Sequence, residues 1–342
     1  MKICILGRFS RELNEGAKNV TCVVSNELSR NHDVLRLDFR TPHKLSFWRA
    51  LRAFQPDIIH CFGGASVKSL LLLRSARFFV GGSGKTKAVM SAVHPCFEDV
   101  LNSFVLSRLF AFLRPDLLLV QSHQIEERIK KLNVHTAFFP NGVDVDRFVP
   151  TSQKSKLNLR DKYGVADDKF VVLHVGHLIP SRNLKILREL QNVDNQVLIV
   201  ASTHFRTDQE TYRALLQAGC QIWRGYYEHI EEIYALSDCY VFPVLLGDTI
   251  FSPLSVLEAM SCNLPVVSTK HETLVANFRE GGGLIFVDED RHIPKAVDEI
   301  KTRSIDVDTR TKVLPYSWRS ITTTLEGLYE SLREPRKGAA SP

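Results

Sequence analysis

Two stretches of this chain carry residue types at spacings that chemistry could use. In residues 237–269, SDCYVFPVLLGDTIFSPLSVLEAMSCNLPVVST, an apolar run ends near Pro243, a loop of roughly ten residues follows, and a helical pattern opens near Ser252 or Ser255 with Glu258 in its first turns. A helix that starts after a strand offers N–H groups and a partial positive charge to an anion, so a nucleotide diphosphate is expected here. The same residues also fit plain capping, with Ser252 ahead of Pro253 as an N-cap and Ser255-x-x-Glu258 at capping-box spacing. Spacing leaves both readings open. The second stretch, GGSGKT at residues 81–86, matches the latter half of a phosphate-binding loop, but Phe79 stands where its first glycine belongs. It follows LLLLRSARFF, the end of a helical pattern, and precedes KAVMSAVHP, a strand-like run. A phosphate loop needs strand before and helix after, so a surface turn is expected instead. The motif keeps a P-loop phosphotransferase as an outside alternative.

The elements that must position these residues alternate between strand and helix. Strand-like runs are KICILG, DVLRLDF, DIIHCF, AVMSAV, LLLVQS and TAFFP in the first half, then FVVLHVG, QVLIVAS, QIWRG, CYVFPV, PVVST and GGLIFV in the second. Helical patterns at 17–30, 46–54, 66–78, 97–113 and 122–132 separate several of the first set. This order predicts two parallel α/β halves. The polar segment PTSQKSKLNLRDKYG near residue 150 reads as a linker between them, and ligands are expected at the carboxyl ends of the strands, in a cleft between the halves. No G-x-G-x-x-G follows the first strand, where GRFSRELNEGAKNV stands, so a nicotinamide enzyme is disfavoured.

At 342 residues the chain has room for two domains with separate cores. Hydrophobic residues at 44% and charged residues at 24% are those of a globular protein, and no run reaches the length of a membrane span. MKICILG is too short for a secretory apolar region, and the seven cysteines form no C-x-x-C pair. A reducing cytosol without structural zinc is therefore expected. Charge is uneven: residues 1–150 hold 21 Lys and Arg against 13 Asp and Glu, whereas the remainder holds 23 against 25. The basic half suits a negatively charged partner, and equally a solvated surface.

The segment PLSVLEAMSCNLPVVST resembles the donor-site signature of GT-B glycosyltransferases of the large retaining family 4 type. Three further stretches resemble the same family in the same order. PNGVDVDRFVP is similar to the end of its first domain, VVLHVGHLIPSRNLKIL to the first strand and basic loop of its second, and YSWRSITTTLEGLYESL to its final helix. The resemblance implies an α/β chain of two Rossmann-like domains facing across a cleft. The acceptor-side domain would cover 1–150 and regain a crossing helix at about 316–333; the donor domain would cover 151–315.

Residue by residue, the resemblance implies a donor diphosphate held after Gly176 by His177 and Arg182, and by amides of the helix start at Leu254 and Ser255. Arg182 is a permanent fork of donors, whereas His177, where the family has a basic residue, carries its charge only part of the time. Glu258 matches the glutamate that holds the ribose. The family's earlier glutamate is replaced by Ile250, with Asp248 the nearest carboxylate. His94 falls where the family has a histidine at the reaction centre, and Gly16, followed by Ala17, matches the loop under the diphosphate; His60 reads as structural. The implied function is transfer of a sugar from a donor such as a UDP- or GDP-sugar, with retention, no metal and no other cofactor, to a glycan or lipid-linked acceptor. A GT-B chain that binds without transferring is the alternative, motivated by His177 and Ile250. SFWRALRAF and LNSFVLSRLFAFLR mix aromatics, leucines and arginines, which fits peripheral contact with an anionic inner membrane face, and equally core helices with solvated arginines. No nucleic-acid partner is expected.

Overall fold

The computed structural model describes residues 1–9, 16–64, 66–81, 85–91, 104–131, 133–203, 206–245, 252–303 and 305–334. His94, Asp248 and Ile250 lie outside these residues, as do 82–84 of the GGSGKT stretch. The chain divides into two compact units. One runs from Met1 to Asn141 and takes in the C-terminal residues from Trp318; the other holds the described residues between Gly142 and Ser317.

The first unit is a parallel six-stranded sheet in the order β2-β1-β3-β4-β5-β6. Its strands are Lys2–Gly7, Asp33–Asp38, Ile58–Cys61, Lys87–Ser91, Leu117–Val120 and Thr136–Phe138, numbered β1 to β6. Between them run α1 (Gly16–Leu28), α2 (Leu45–Phe54), α3 (Val67–Gly81), α4 (Phe104–Leu113) and α5 (His123–Lys130). β3, β4 and β5 are buried along almost their whole length, which is why they read as unbroken apolar runs and not as alternating ones. Lys85 and Thr86 of the glycine-rich stretch lie between the end of α3 and the start of β4. There the buried Thr86 hydroxyl donates to the Pro56 carbonyl at 2.9 Å. The helix-before, strand-after order is that of a connecting turn.

The second unit is also a parallel six-stranded sheet, β12-β11-β10-β7-β8-β9, the doubly wound order with its first strand, β7, at the centre. Strands β7 (Phe170–His177), β8 (Asn195–Ser202), β9 (Gln221–Arg224), β10 (Cys239–Phe242), β11 (Val266–Thr269) and β12 (Leu284–Val287) fall on the six apolar runs of the second half. Its helices are α6 (Gln153–Tyr163), α7 (Gln209–Gln217), α8 (Ile230–Ala235), α9 (Leu254–Ser261), α10 (Glu272–Asn277), α11 (Ile293–Thr302) and α12 (Thr309–Val313).

The polar segment expected to be a linker is helix α6. Ser152 caps its start by accepting from the Ser155 amide, and Gly164, at φ 66°, closes its end. Its buried residue is Arg160, whose guanidinium donates to the carbonyls of Leu236, Asp167 and Lys169 and lies 2.5 Å from Asp238. A helix pinned by one arginine shows no apolar stripe, so its pattern passes for a loop.

The last helix, α13 (Trp318–Arg333), belongs to the first unit and packs on α1. Tyr329 holds it there: its hydroxyl lies 2.5 Å from Nδ1 of the fully buried His60 on β3, whose Nε2 is 2.8 Å from the Ser91 hydroxyl on β4. Burial pushes the His60 imidazole down to about 3, so it is neutral and structural. No described helix is long and apolar enough to cross a membrane.

Candidate functional site

In the second unit the carboxyl ends of β7 and β10 lie side by side, because these strands pair in the sheet. Gly176 and His177 close β7, and a single 3₁₀ turn, Pro180–Arg182, follows and carries Arg182. Asn183, at φ 52°, ends the turn and donates through its side chain to Asp290 at 2.8 Å. The Leu245 amide donates to the Ser181 carbonyl at 3.3 Å, tying the chain beyond β10 to this turn. A basic loop is thereby fixed at the strand ends by one side-chain and one backbone hydrogen bond.

Helix α9 begins close by. Its N-cap is Pro253, with no side-chain cap, and the amides of Val256 and Leu257 turn back to the Pro253 carbonyl. The amides before them, of Leu254 and Ser255, have no helix carbonyl to bond and lead out of the helix start. The capping-box reading does not hold, because both side chains are engaged with other elements. Ser255 Oγ sits 2.8 Å from the Tyr240 hydroxyl, which is also 3.2 Å from the Val175 carbonyl. Glu258 accepts from the Tyr234 hydroxyl at 2.7 Å through Oε2.

Burial raises the Glu258 carboxyl above its ordinary range, while the Tyr234 hydrogen bond and the Arg147 charge pull it back. Tyr234 is itself fully buried on α8, edge-on to Phe148 and stacked on Tyr240. Behind it, Arg310 on α12 donates to the carbonyls of Phe148, Ser261 and Val145 and so clamps α9 from its far end. The result is a half-buried carboxylate with one oxygen anchored and the other able to accept a further hydrogen bond.

His174, on β7 beneath this loop, bonds the Val241 carbonyl through Nδ1 at 2.9 Å and stacks with Tyr240 and Phe242. Burial pushes it down to about 4; the Val241 bond opposes this, and the charges of Arg182 and His177 add to it. Arg182 also acts on the Tyr240 hydroxyl, so Arg182, His177, His174 and Tyr240 lie within electrostatic reach of one another. A Cβ on Gly176 would come 2.9 Å from His174 Nε2, which explains glycine at the strand end.

Of the residues singled out from sequence, Gly176, His177, Arg182, Leu254, Ser255 and Glu258 thus share the β7/β10 end of one unit. Gly16 opens α1 in the other unit, after β1. There Gly7 meets α1 so closely that a Cβ would be 2.3 Å from Thr21 Cγ2. Sequence reasoning passed over Tyr234, Tyr240 and His174. Two are aromatic residues and the third a histidine within apolar strands or helices, and nothing in their spacing separates them from core. Among the described residues, no group of three His, Cys, Asp or Glu side chains could hold a metal ion.

Residues 169–302 match the family model described as Glycosyl transferases group 1. The UDP-Gal:alpha-D-GlcNAc-diphosphoundecaprenol alpha-1,3-galactosyltransferase of Escherichia coli is 27% identical over 250 residues, which are 65% of this chain and 60% of that protein. The chain therefore spans less than two thirds of that relative. A GDP-mannose-dependent alpha-mannosyltransferase of Mycobacterium tuberculosis is 25% identical over 305 residues, 86% of this chain and 78% of that one. Among solved structures, Anabaena Alr3699/HepE in complex with UDP-glucose superposes with a TM-score of 0.75 at 18% identity, covering 97% of this chain and 100% of that one. At that identity the match establishes the fold, which is GT-B.

Proposed function

We propose that this chain, a GT-B fold whose residues 169–302 form a group 1 glycosyl transferase domain, transfers a sugar from a nucleoside-diphosphate sugar to an acceptor hydroxyl with retention of configuration. The observation that carries the reading is Glu258. Held at 2.7 Å by Tyr234 and half-buried beside an uncapped helix start, it leaves one carboxylate oxygen to accept from the hydroxyls of a ribose. The diphosphate would then rest on the Leu254 and Ser255 amides and on Arg182, with His177 adding charge when protonated. These groups act on the leaving diphosphate by electrostatics and without a metal.

His94 and Gly16 are assigned to the reaction centre and the diphosphate loop by the family resemblance. The domain limits proposed are 1–150 with the crossing helix, and 151–315. UDP- and GDP-sugars are the donors to try first, given the relatives, one acting on a UDP-galactose and another GDP-mannose-dependent. The acceptor proposed is a glycan or a lipid-linked sugar, met at the cytoplasmic face of a membrane.

The test is an NMR assay of the anomeric product formed from each donor with a diphosphoprenyl-sugar acceptor. An α-linked product from an α-linked donor supports the reading; an inverted product removes the retaining mechanism. Donor binding without turnover on any acceptor favours the binding-only alternative, which the His177 departure motivates. Nucleotide binding that collapses in Lys85→Ala but survives Arg182→Ala would move the site to the glycine-rich turn.

A further inference from the structure

The first unit carries an exposed apolar face on its helices, turned away from its own core. Between α2 and α3 lies a groove of about 470 Å³ bordered by Leu45, Trp48, Leu71, Phe78, Phe79 and Arg74. Phe78 is 81% exposed, Leu45 60% and Leu71 47%, while Phe112 on α4 is 67% exposed. These residues are joined side to side. Trp48 packs edge-on against Phe79, the Arg52 guanidinium lies over the Phe79 ring, and Arg74 lies 4.8 Å above the Phe112 ring while donating to its carbonyl at 3.1 Å. The same helices still serve the core, through Phe47, Leu51, Leu70, Leu73 and Phe110. The core reading of these helices therefore holds for one face only.

What rims the patch decides what it fits. Helices α2, α3 and α4 contain no acidic residue at all, and residues 39–97 hold nine Lys and Arg against one acid, Asp57. Arg52 and Arg74 lie against the Phe79 and Phe112 rings, Arg49, Lys68 and Arg108 are exposed on the same three helices, and Arg77 is turned aside onto Asp116 at 3.0 Å. An apolar patch of this kind in a monomer marks an interaction surface. Aromatics at the centre with arginines at the rim match the interface of a bilayer, where rings enter the headgroup boundary and cations stay with lipid phosphates. A surface so one-sided in charge would repel a second copy of itself.

We propose that the α2–α3–α4 face of the first unit docks peripherally on an anionic lipid bilayer, with Phe78 and Phe112 as inserted anchors and the surrounding arginines on the phosphates. Trp48 stands at the depth of the interface, between the anchors and the core.

The experiment is co-sedimentation of the full chain with vesicles of phosphatidylcholine alone, or with about one third phosphatidylglycerol. No sugar donor is needed, so failure here leaves the donor-site reading standing. The wild type is expected to partition onto the anionic vesicles only. Partitioning should fall about fivefold for each arginine replaced among Arg49, Arg52 and Arg74, and collapse as salt shortens the screening length. Phe78→Ser with Phe112→Ser should lower it at least about tenfold without changing the melting temperature, since both rings are in solvent. As a readout on the unaltered chain, brominated lipid should quench the part of the tryptophan emission that Trp48→Phe removes. No partitioning of the wild type, equal partitioning of the Phe78/Phe112 variant, or a wild-type dimer that those two substitutions dissociate would each overturn the proposal.

Discussion

Glu258 is suspended from one hydroxyl, and that hydroxyl comes from an element 24 positions earlier in the chain. Removing it with Tyr234→Phe should leave the fold intact but free the carboxylate to rotate, weakening nucleotide affinity by about 1 kcal/mol, or roughly fivefold, in a calorimetric titration. An unchanged affinity would mean that Tyr234 is only packing. At this scale the sequence was half legible. Ser255-x-x-Glu258 announces that the helix start matters, but capping and ligand holding share the same spacing. What separates them is the partner of each side chain, Tyr240 and Tyr234, and partners brought by tertiary contact leave no periodic trace.

The twelve described strands were legible for a physical reason. In sheets covered on both faces the central parallel strands are short unbroken apolar runs, edge strands such as β2 and β9 keep a shorter apolar core, and turns rich in glycine and polar residues set the runs apart. Helix α6 escaped because its hold on the sheet is polar: Arg160 donates to three carbonyls and to Asp238, which also takes Lys156 and the Val171 amide. The same feature makes a sharp prediction. Arg160→Met would leave Asp238 partly uncompensated and three carbonyls without that donor, so the second unit should lose about 3–5 kcal/mol in urea unfolding. A loss below about 1 kcal/mol would show that α6 is merely laid on the surface. At the strand ends, Gly7 and Gly176 are required by close approach, to Thr21 and to His174, which a reading of single positions does not reveal.

Among the described residues, each unit of the molecule holds one fully buried, neutral histidine on its sheet, His60 in the first and His174 in the second. Burial holds them down to about 3 and about 4, below the ordinary value of 6.5 that they regain on unfolding. Between those values the unfolded chain binds more protons than the folded one. The stabilisation is therefore complete above pH 6.5 and is lost as pH falls towards 4, by up to about 1.4 kcal/mol per pH unit for each histidine. Urea unfolding across that range should show the slope, and His60→Gln should flatten the part belonging to the first unit. A flat profile in the wild type would contradict the buried, neutral assignment.

The account turns on the second unit being a nucleoside-diphosphate-sugar site with Glu258 at the ribose end and Arg182 at the phosphates. Isothermal titration of UDP, GDP and their sugars into the wild type, Glu258→Ala and Arg182→Ala measures this most directly. One diphosphate nucleotide is expected to bind the wild type and to weaken at least about tenfold in each variant, with the melting temperatures of the unliganded chains unchanged. Binding that is equally tight in all three chains, or no binding of any nucleotide to the wild type, would contradict it.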